Sequence, residues 1–183
     1  MSTHPGTNAV HTPTQRMTAL AAVTIEFFGR AAHAAGAPER GVNALDAVVL
    51  TYNGINALRQ HVTPDVRMHG IITHGGDAPN IVPAYAACEF FLRAAAKPRL
   101  DELYKRVAAV VEGAAAMTGA TFKMTETQRR VDNMVVTPLF DKVFCDAMNA
   151  IGEPCDPATV VQCGSTDVGN VSPVIPAIPP RPS

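Results

Sequence analysis

The periodic segments between residues 20 and 128 predict an α+β fold with the element order β-α-β-β-α-β. Three observations carry this. Residues 21–30 alternate apolar and polar side chains. In residues 80–94, Val82, Ala84, Ala86, Cys88, Phe90 and Leu92 share one strand face. Two helical stripes, each with its own start and stop signals, separate the strands. This order folds as an antiparallel sheet with both helices on one face, the ferredoxin-like arrangement.

In the first strand Val23, Ile25 and Phe27 alternate with Thr24, Glu26, Phe28 and Arg30, the pattern of a half-buried strand. Asn43 suits the N-cap of the next helix, and Asp46 lies where a carboxylate complements the helix dipole. Ala44, Val48, Ile55 and Leu58 form its stripe to about Gln60, before Pro64-Asp65 breaks the chain. Residues 67–74 (RMHGIITH) make a second strand, closed by Gly75-Gly76. The other parity of the third strand holds Tyr85, Glu89, Phe91 and Arg93, an open semi-polar sheet surface with Arg93 at its end. Pro98 opens the second helix, with Leu103, Val107, Val110, Val111, Ala114 and Met117 as its buried stripe and Gly119 as its stop. Residues 120–128 supply the fourth strand. Beyond Arg130 the pattern changes. Thr137-Pro138 caps a third helix to Ile151, and Gly152 closes it. Val160-Val161 is an isolated apolar pair, and the loop GSTDVGNVS (164–172) precedes a proline-rich end. Neither that end nor residues 1–16 predicts regular structure.

A chain of 183 residues with 47% hydrophobic and 17% charged side chains has the composition of a globular protein. Fifteen Lys+Arg against sixteen Asp+Glu, with no basic block longer than Arg129-Arg130, argues against a nucleic-acid partner. Cys88, Cys145, Cys155 and Cys163 show no CxxC pair; they read as reduced thiols of a cytoplasmic protein, with Cys88 in the core. No secretory leader is expected in residues 1–15. No membrane span is expected either, since Glu112 interrupts the Ala/Val stretch 107–117.

Among chemical candidates, His33 sits between small alanines at a strand end, ahead of a turn through Gly36, Pro38 and Gly41. Its imidazole is placed to donate to a carbonyl or oxyanion, or is simply a solvated turn histidine. Arg93 at a strand end suits a carboxylate, because its planar fork binds both oxygens, and Asn80 is a candidate donor to the same ligand. The bland alternatives are a surface arginine and a turn asparagine. His4 is a lone candidate metal ligand, whereas a metal site needs three or four. GSTDVGNVS lacks the lysine and following helix of a phosphate loop.

The stretches HPG (4–6), FFGRAAHAAGAPERGVNALDA (27–47), GIITHGGDAPNIVPAYA (70–86), FLRAA (91–95) and GSTDVGNVS together resemble family twenty of the metallopeptidases. The similarity is to its aminoacylase, aminobenzoyl-glutamate hydrolase and dipeptidase branch, and it runs over nearly the whole chain. It implies a dinuclear metal catalytic domain, binding zinc or manganese, into which a lid or dimerisation domain of β-α-β-β-α-β order is inserted. It further implies that His33 reaches across a dimer to polarise the scissile carbonyl. Asn80 and Arg93 would hold the substrate's carboxylate end, and His4 would bind metal.

The chain departs from the family pattern. HPG begins at residue 4, where family members have half a catalytic domain before it, and no histidine follows His74. The expectation is therefore a lid domain (17–130) between a remnant of the catalytic domain (1–16) and a partial C-terminal segment of it (131–183). Its expected role is the lid and dimerisation part of a metal-dependent amidohydrolase acting on N-acyl amino acids, aminoacyl-glutamates or dipeptides. Alone it is expected to be inactive and to hold no metal stably. Two other readings stay open, a non-catalytic self-associating module and a small-molecule-binding regulatory domain.

Overall fold

The computed structural model describes residues 14–157, 160–161 and 164–179. In chain order the elements are β1 (Gln15–Arg16), β2 (Ala19–Phe28), α1 (Ala44–Arg59), β3 (Arg67–His74), β4 (Tyr85–Ala94), α2 (Lys97–Thr118), β5 (Thr121–Glu126), α3 (Pro138–Ala150) and β6 (Val160–Val161). The chain divides into two compact units, Ala21–Ala94 with Pro98–Arg130, and the remaining segments.

The larger unit has the predicted α+β architecture, a four-stranded antiparallel sheet of order β3-β4-β2-β5 with α1 and α2 on one face. Its core is the helix side of the sheet, where Val23, Ile25, Phe27, Cys88, Phe90 and Leu92 are buried beneath Val48, Ile55, Leu103, Val107 and Val111. The Tyr52 and Phe90 rings meet at 4.8 Å. Full burial of side chains of this size contributes about 1.5–3 kcal/mol each. Asn43 caps α1 as expected, its Oδ1 accepting from the Leu45 and Asp46 amides at 2.9 and 3.2 Å.

Several boundaries differ from expectation. The first strand ends at Phe28 because the Gly29 amide turns to Ala84 O (2.7 Å) and Arg30 pairs with Val42. Residues 80–84 do not join β4; Pro79 and Pro83 lack the amides a ladder needs, and Ala84 is exposed. Met117, predicted in the α2 stripe, is 68% exposed. Thr137 stands at the α3 N-cap without a side-chain cap bond.

In the smaller unit, β1 and β6 pair in parallel, so Gln15–Arg16 is not irregular. The Thr14 hydroxyl donates to Asp141 at 2.5 Å, and burial raises the carboxyl's proton affinity while that bond lowers it. The loop of residues 164–172 is structural within this unit. Gly164 O accepts from the Thr18 amide, Asn170 Oδ1 from the Asp132 amide and Ser172 Oγ from the Val135 amide, at 2.9, 2.7 and 3.0 Å. Gly169 passes so close to Asp132 O that a Cβ would stand 1.9 Å from it. The expectation of reduced cysteines is corrected here, because Cys145 and Cys155 are joined by a disulfide (Cα–Cα 5.0 Å). Their ten-residue separation brings the α3 core position next to the segment that follows the helix. Cys88 is a buried free thiol, and Cys163 lies outside the described residues.

Candidate functional site

The turn after β2 builds the site. Gly29 crosses against α1's leading residues so closely that a Cβ there would lie 2.0 Å from Val42 O. Two hydrogen bonds of 2.9 Å then clamp Arg30 to Val42. The returning chain pairs His33 with Ile81 in an antiparallel bridge, through Ala34 N to Asn80 O and Val82 N to Ala32 O, both 2.9 Å. His33 and Asn80 thus stand on neighbouring strands at one end of the sheet, both exposed.

The imidazole is oriented by its own turn. His33 Nδ1 accepts from the Gly36 amide at 2.9 Å and the Ala35 amide at 3.2 Å. Accepting at Nδ1 assigns the neutral ring's proton to Nε2, which is left as an outward donor. Asn80 lies in a tight turn closed by Ile81 N to Ala78 O at 3.1 Å. Beside it a cleft of about 400 Å³ is lined by Asn43, Leu45, Gly75, Asp77, Pro79 and Ile81.

On the helix-free face at the same end, Phe28, Tyr85 and His74 form a ring cluster with centroid spacings of 5.5 and 5.2 Å. The Tyr85 hydroxyl donates to Glu26 at 3.0 Å; burial first, and then that carboxylate, raise its proton affinity. A register shift between Ile72 and His74 turns His74 into this cluster.

Arg93 lies at the other end of β4, ~26 Å along the strand from Tyr85 at the usual rise. Asn80 and Arg93 therefore do not meet on one ligand within a single chain. In the β3/β4 register Arg93 faces Arg67, and the adjacent pair is Phe91 and His69. The His69 ring approaches Phe91 at 5.6 Å, and the Arg93 guanidinium lies 5.9 Å from the same ring. Burial, then Arg93 and Arg59, lower the proton affinity of His69. Arg67 and His69 escaped the sequence reading, because the alternation in RMH puts both on one face of their strand but only the cross-strand register shows that it is the face of Arg93.

His4 lies outside the described residues. Among the described residues no group of three or more His, Cys, Asp or Glu side chains is placed to hold a metal ion, so these residues do not fit a metal site. No helix among them is long and apolar enough to cross a membrane.

Residues 18–118 match the model of the peptidase dimerisation domain. The Xaa-Arg dipeptidase of Mus musculus is 37% identical over 165 residues, covering 86% of this chain and 37% of that protein. A p-aminobenzoyl-glutamate hydrolase subunit from Escherichia coli is 45% identical over 96 residues, covering 52% of this chain and 20% of that protein. An aminobenzoyl-glutamate utilization protein from Klebsiella pneumoniae shares the fold, with a TM-score of 0.74 at 23% identity over 92% of this chain and 44% of that one. The chain thus spans less than half the length of each of these relatives. With the family match covering the sheet up to β4, both helices and the His33 turn, the chain belongs to the peptidase dimerisation domain family within the metallopeptidases of family twenty.

Proposed function

We propose that this chain is the dimerising, substrate-capping part of an amide-bond hydrolase whose substrates are N-acyl amino acids, aminoacyl-glutamates or dipeptides. The observation that carries the reading is the His33–Ile81 bridge, which holds an outward Nε2 donor beside Asn80 on a rigid sheet end. Such a donor aimed at a developing oxyanion contributes about 2.7–4 kcal/mol of transition-state stabilisation. The names of two relatives, a dipeptidase and an aminobenzoyl-glutamate hydrolase, support the reaction class. A divalent metal, zinc or manganese, belongs to residues other than the described ones, and residues 131–183 are read as catalytic-domain sequence. The chain alone is then inactive.

The homodimer is proposed to form along the β3 edge. Edge strands invite pairing unless charges protect them. The β5 edge carries Lys123 and Glu126, whereas the stretch 69–73 (HGIIT) has no acidic, lysine or arginine residue and exposes Ile71 to 63%. Antiparallel pairing of two β3 strands merges the sheets. It sets the Arg93 end of one copy beside the His33 and Asn80 end of the other, with the two β4 strands ~14 Å apart. A substrate whose carboxylate meets Arg93 and whose carbonyl meets His33 is bound by both copies. This resolves the separation of the two groups within one chain.

Sedimentation of the purified chain tests this. A dimer that becomes a folded monomer on Ile71→Lys is expected, together with no turnover of aminobenzoyl-glutamate in zinc or manganese. A monomeric wild-type chain overturns the dimer, and metal-dependent turnover by the chain alone overturns the division of labour.

A further inference from the structure

We infer that the smaller unit carries a binding site for a small organic ammonium ion, in a cavity along α3 where Asp141 Oδ2 is the acceptor. The cavity measures about 410 Å³, within the roughly 300–1,000 Å³ range of small-molecule sites. Asp141, Cys145 and Asn149 line it at four-residue intervals, so they follow one another along a single face of the helix. The chain beyond α3 reaches the cavity at Pro157. Two ties hold that segment against the helix, the Cys145–Cys155 disulfide and the Cys155 amide donating to Asn149 Oδ1 at 3.1 Å. The site is therefore framed before any ligand arrives.

Asp141 gives the cavity its charge. The residue is only 2% exposed. Its Oδ1 accepts from the Thr14 hydroxyl at 2.5 Å, whereas Oδ2 meets no donor among the described residues. A buried carboxylate oxygen without a donor is costly, and the Thr14 bond alone would be served by an asparagine, which has no charge to desolvate. Lys142 does not supply the donor, because its Nζ is committed to Asp146 at 2.6 Å in an exposed pair that also lines the cavity. Those two charges cancel, so an ionised Asp141 leaves the lining with a net negative charge. Its place in the first turn of α3 favours ionisation and its burial opposes it; a cation at Oδ2 offsets the burial. A primary ammonium supplies the missing donor and the countercharge together. Pro138 and Pro157 offer apolar surface to its carbon body. A bare metal ion is not favoured, since among the described residues no three His, Cys, Asp or Glu side chains converge to hold one.

The test is an NMR-detected titration of the full chain with phenethylammonium, with neutral phenethyl alcohol, and with trimethyl-phenethylammonium, which keeps the charge but has no N–H. Phenethylammonium is expected to shift the amides of α3 and of residues 155–157. It is expected to bind about ten-fold or more tightly than the alcohol, the worth of a charge-assisted hydrogen bond. The quaternary ion should fall between the two. Asp141→Asn, which can still accept from Thr14, brings phenethylammonium down to the affinity of the alcohol and leaves the alcohol unchanged. A cooperative thermal transition certifies that the variant folds, and the comparison of the three ligands on the wild-type chain needs no variant. The proposal is overturned if nothing binds, or if the alcohol or the quaternary ion binds as tightly as phenethylammonium. It is equally overturned if Asp141→Asn keeps the full affinity or if the shifts fall in other elements.

Discussion

Replacing Gly29 with alanine tests the turn on which His33 depends. The added Cβ would stand 2.0 Å from Val42 O, 2.9 Å from its carbonyl carbon and 3.2 Å from Ala44 N. All three neighbours are main-chain atoms, so no side chain can swing aside. Relief requires the strand end and the start of α1 to separate by about 1 Å, beyond what a hydrogen bond tolerates. The two 2.9 Å bonds between Arg30 and Val42 are then lost, and the Ala44 N to Pro83 O bond is loosened. At about 1 kcal/mol net per bond, the loss is about 2–3 kcal/mol. The lower entropy of an unfolded alanine offsets about 0.4–1 kcal/mol of it. A net destabilisation of about 1–2.5 kcal/mol corresponds to a fall in Tm of about 4–15 °C for a domain of about 100 residues. Thermal and urea denaturation of the two chains measure it. Gly113→Ala is the control, since its added Cβ meets nothing within 4 Å in the middle of α2, and a gain of about 0.5–1 kcal/mol is expected there. Equal midpoints for Gly29→Ala and the wild type would refute the argument that this crossing requires glycine.

Two further outcomes follow from the side-chain chemistry. No more than two of the four cysteines should titrate in denaturant without reductant, and all four after reduction, because Cys145 and Cys155 are bonded. Without denaturant Cys88 should stay silent towards thiol reagents, its pKa being pushed up to about 12 by burial. The lowered proton affinity of His69 means that the unfolded chain takes up a proton at higher pH than the folded one. Its contribution to stability is therefore present above the ordinary histidine range, near pH ~6.5, and is lost as pH falls through the folded value. His69→Gln should flatten that part of a Tm-against-pH profile; an unaltered profile would show that another group governs it.

The order of elements in the larger unit was legible because each carried a local signal. Period-two alternation marked β2 and β4, Asn43 marked the start of α1, and Pro98 and Gly119 bracketed α2. These are properties of neighbouring residues, and sequence records them directly. The limits of β4 were not legible, because Val82 and Ala84 continue the apolar parity while Pro83 withdraws an amide from the ladder. The pairing of Cys145 with Cys155 was missed for a related reason, since only the path of the chain beyond α3 brings them together.

For the site, residue identities were visible and their grouping was not. His33, Asn80 and Arg93 stood out by residue type and by position at element ends. The place of Arg93 at the far end of the strand from Asn80 was already legible in the sequence, whereas only the antiparallel register put His33 beside Asn80 and opposed Arg93 with Arg67. The physical reason is that local patterning selects secondary structure within a few residues, while strand order and register arise from burying one sheet face under two helices. Sequence by itself thus determined which groups this protein can offer a ligand, and the tertiary structure alone decided which of them one ligand can reach.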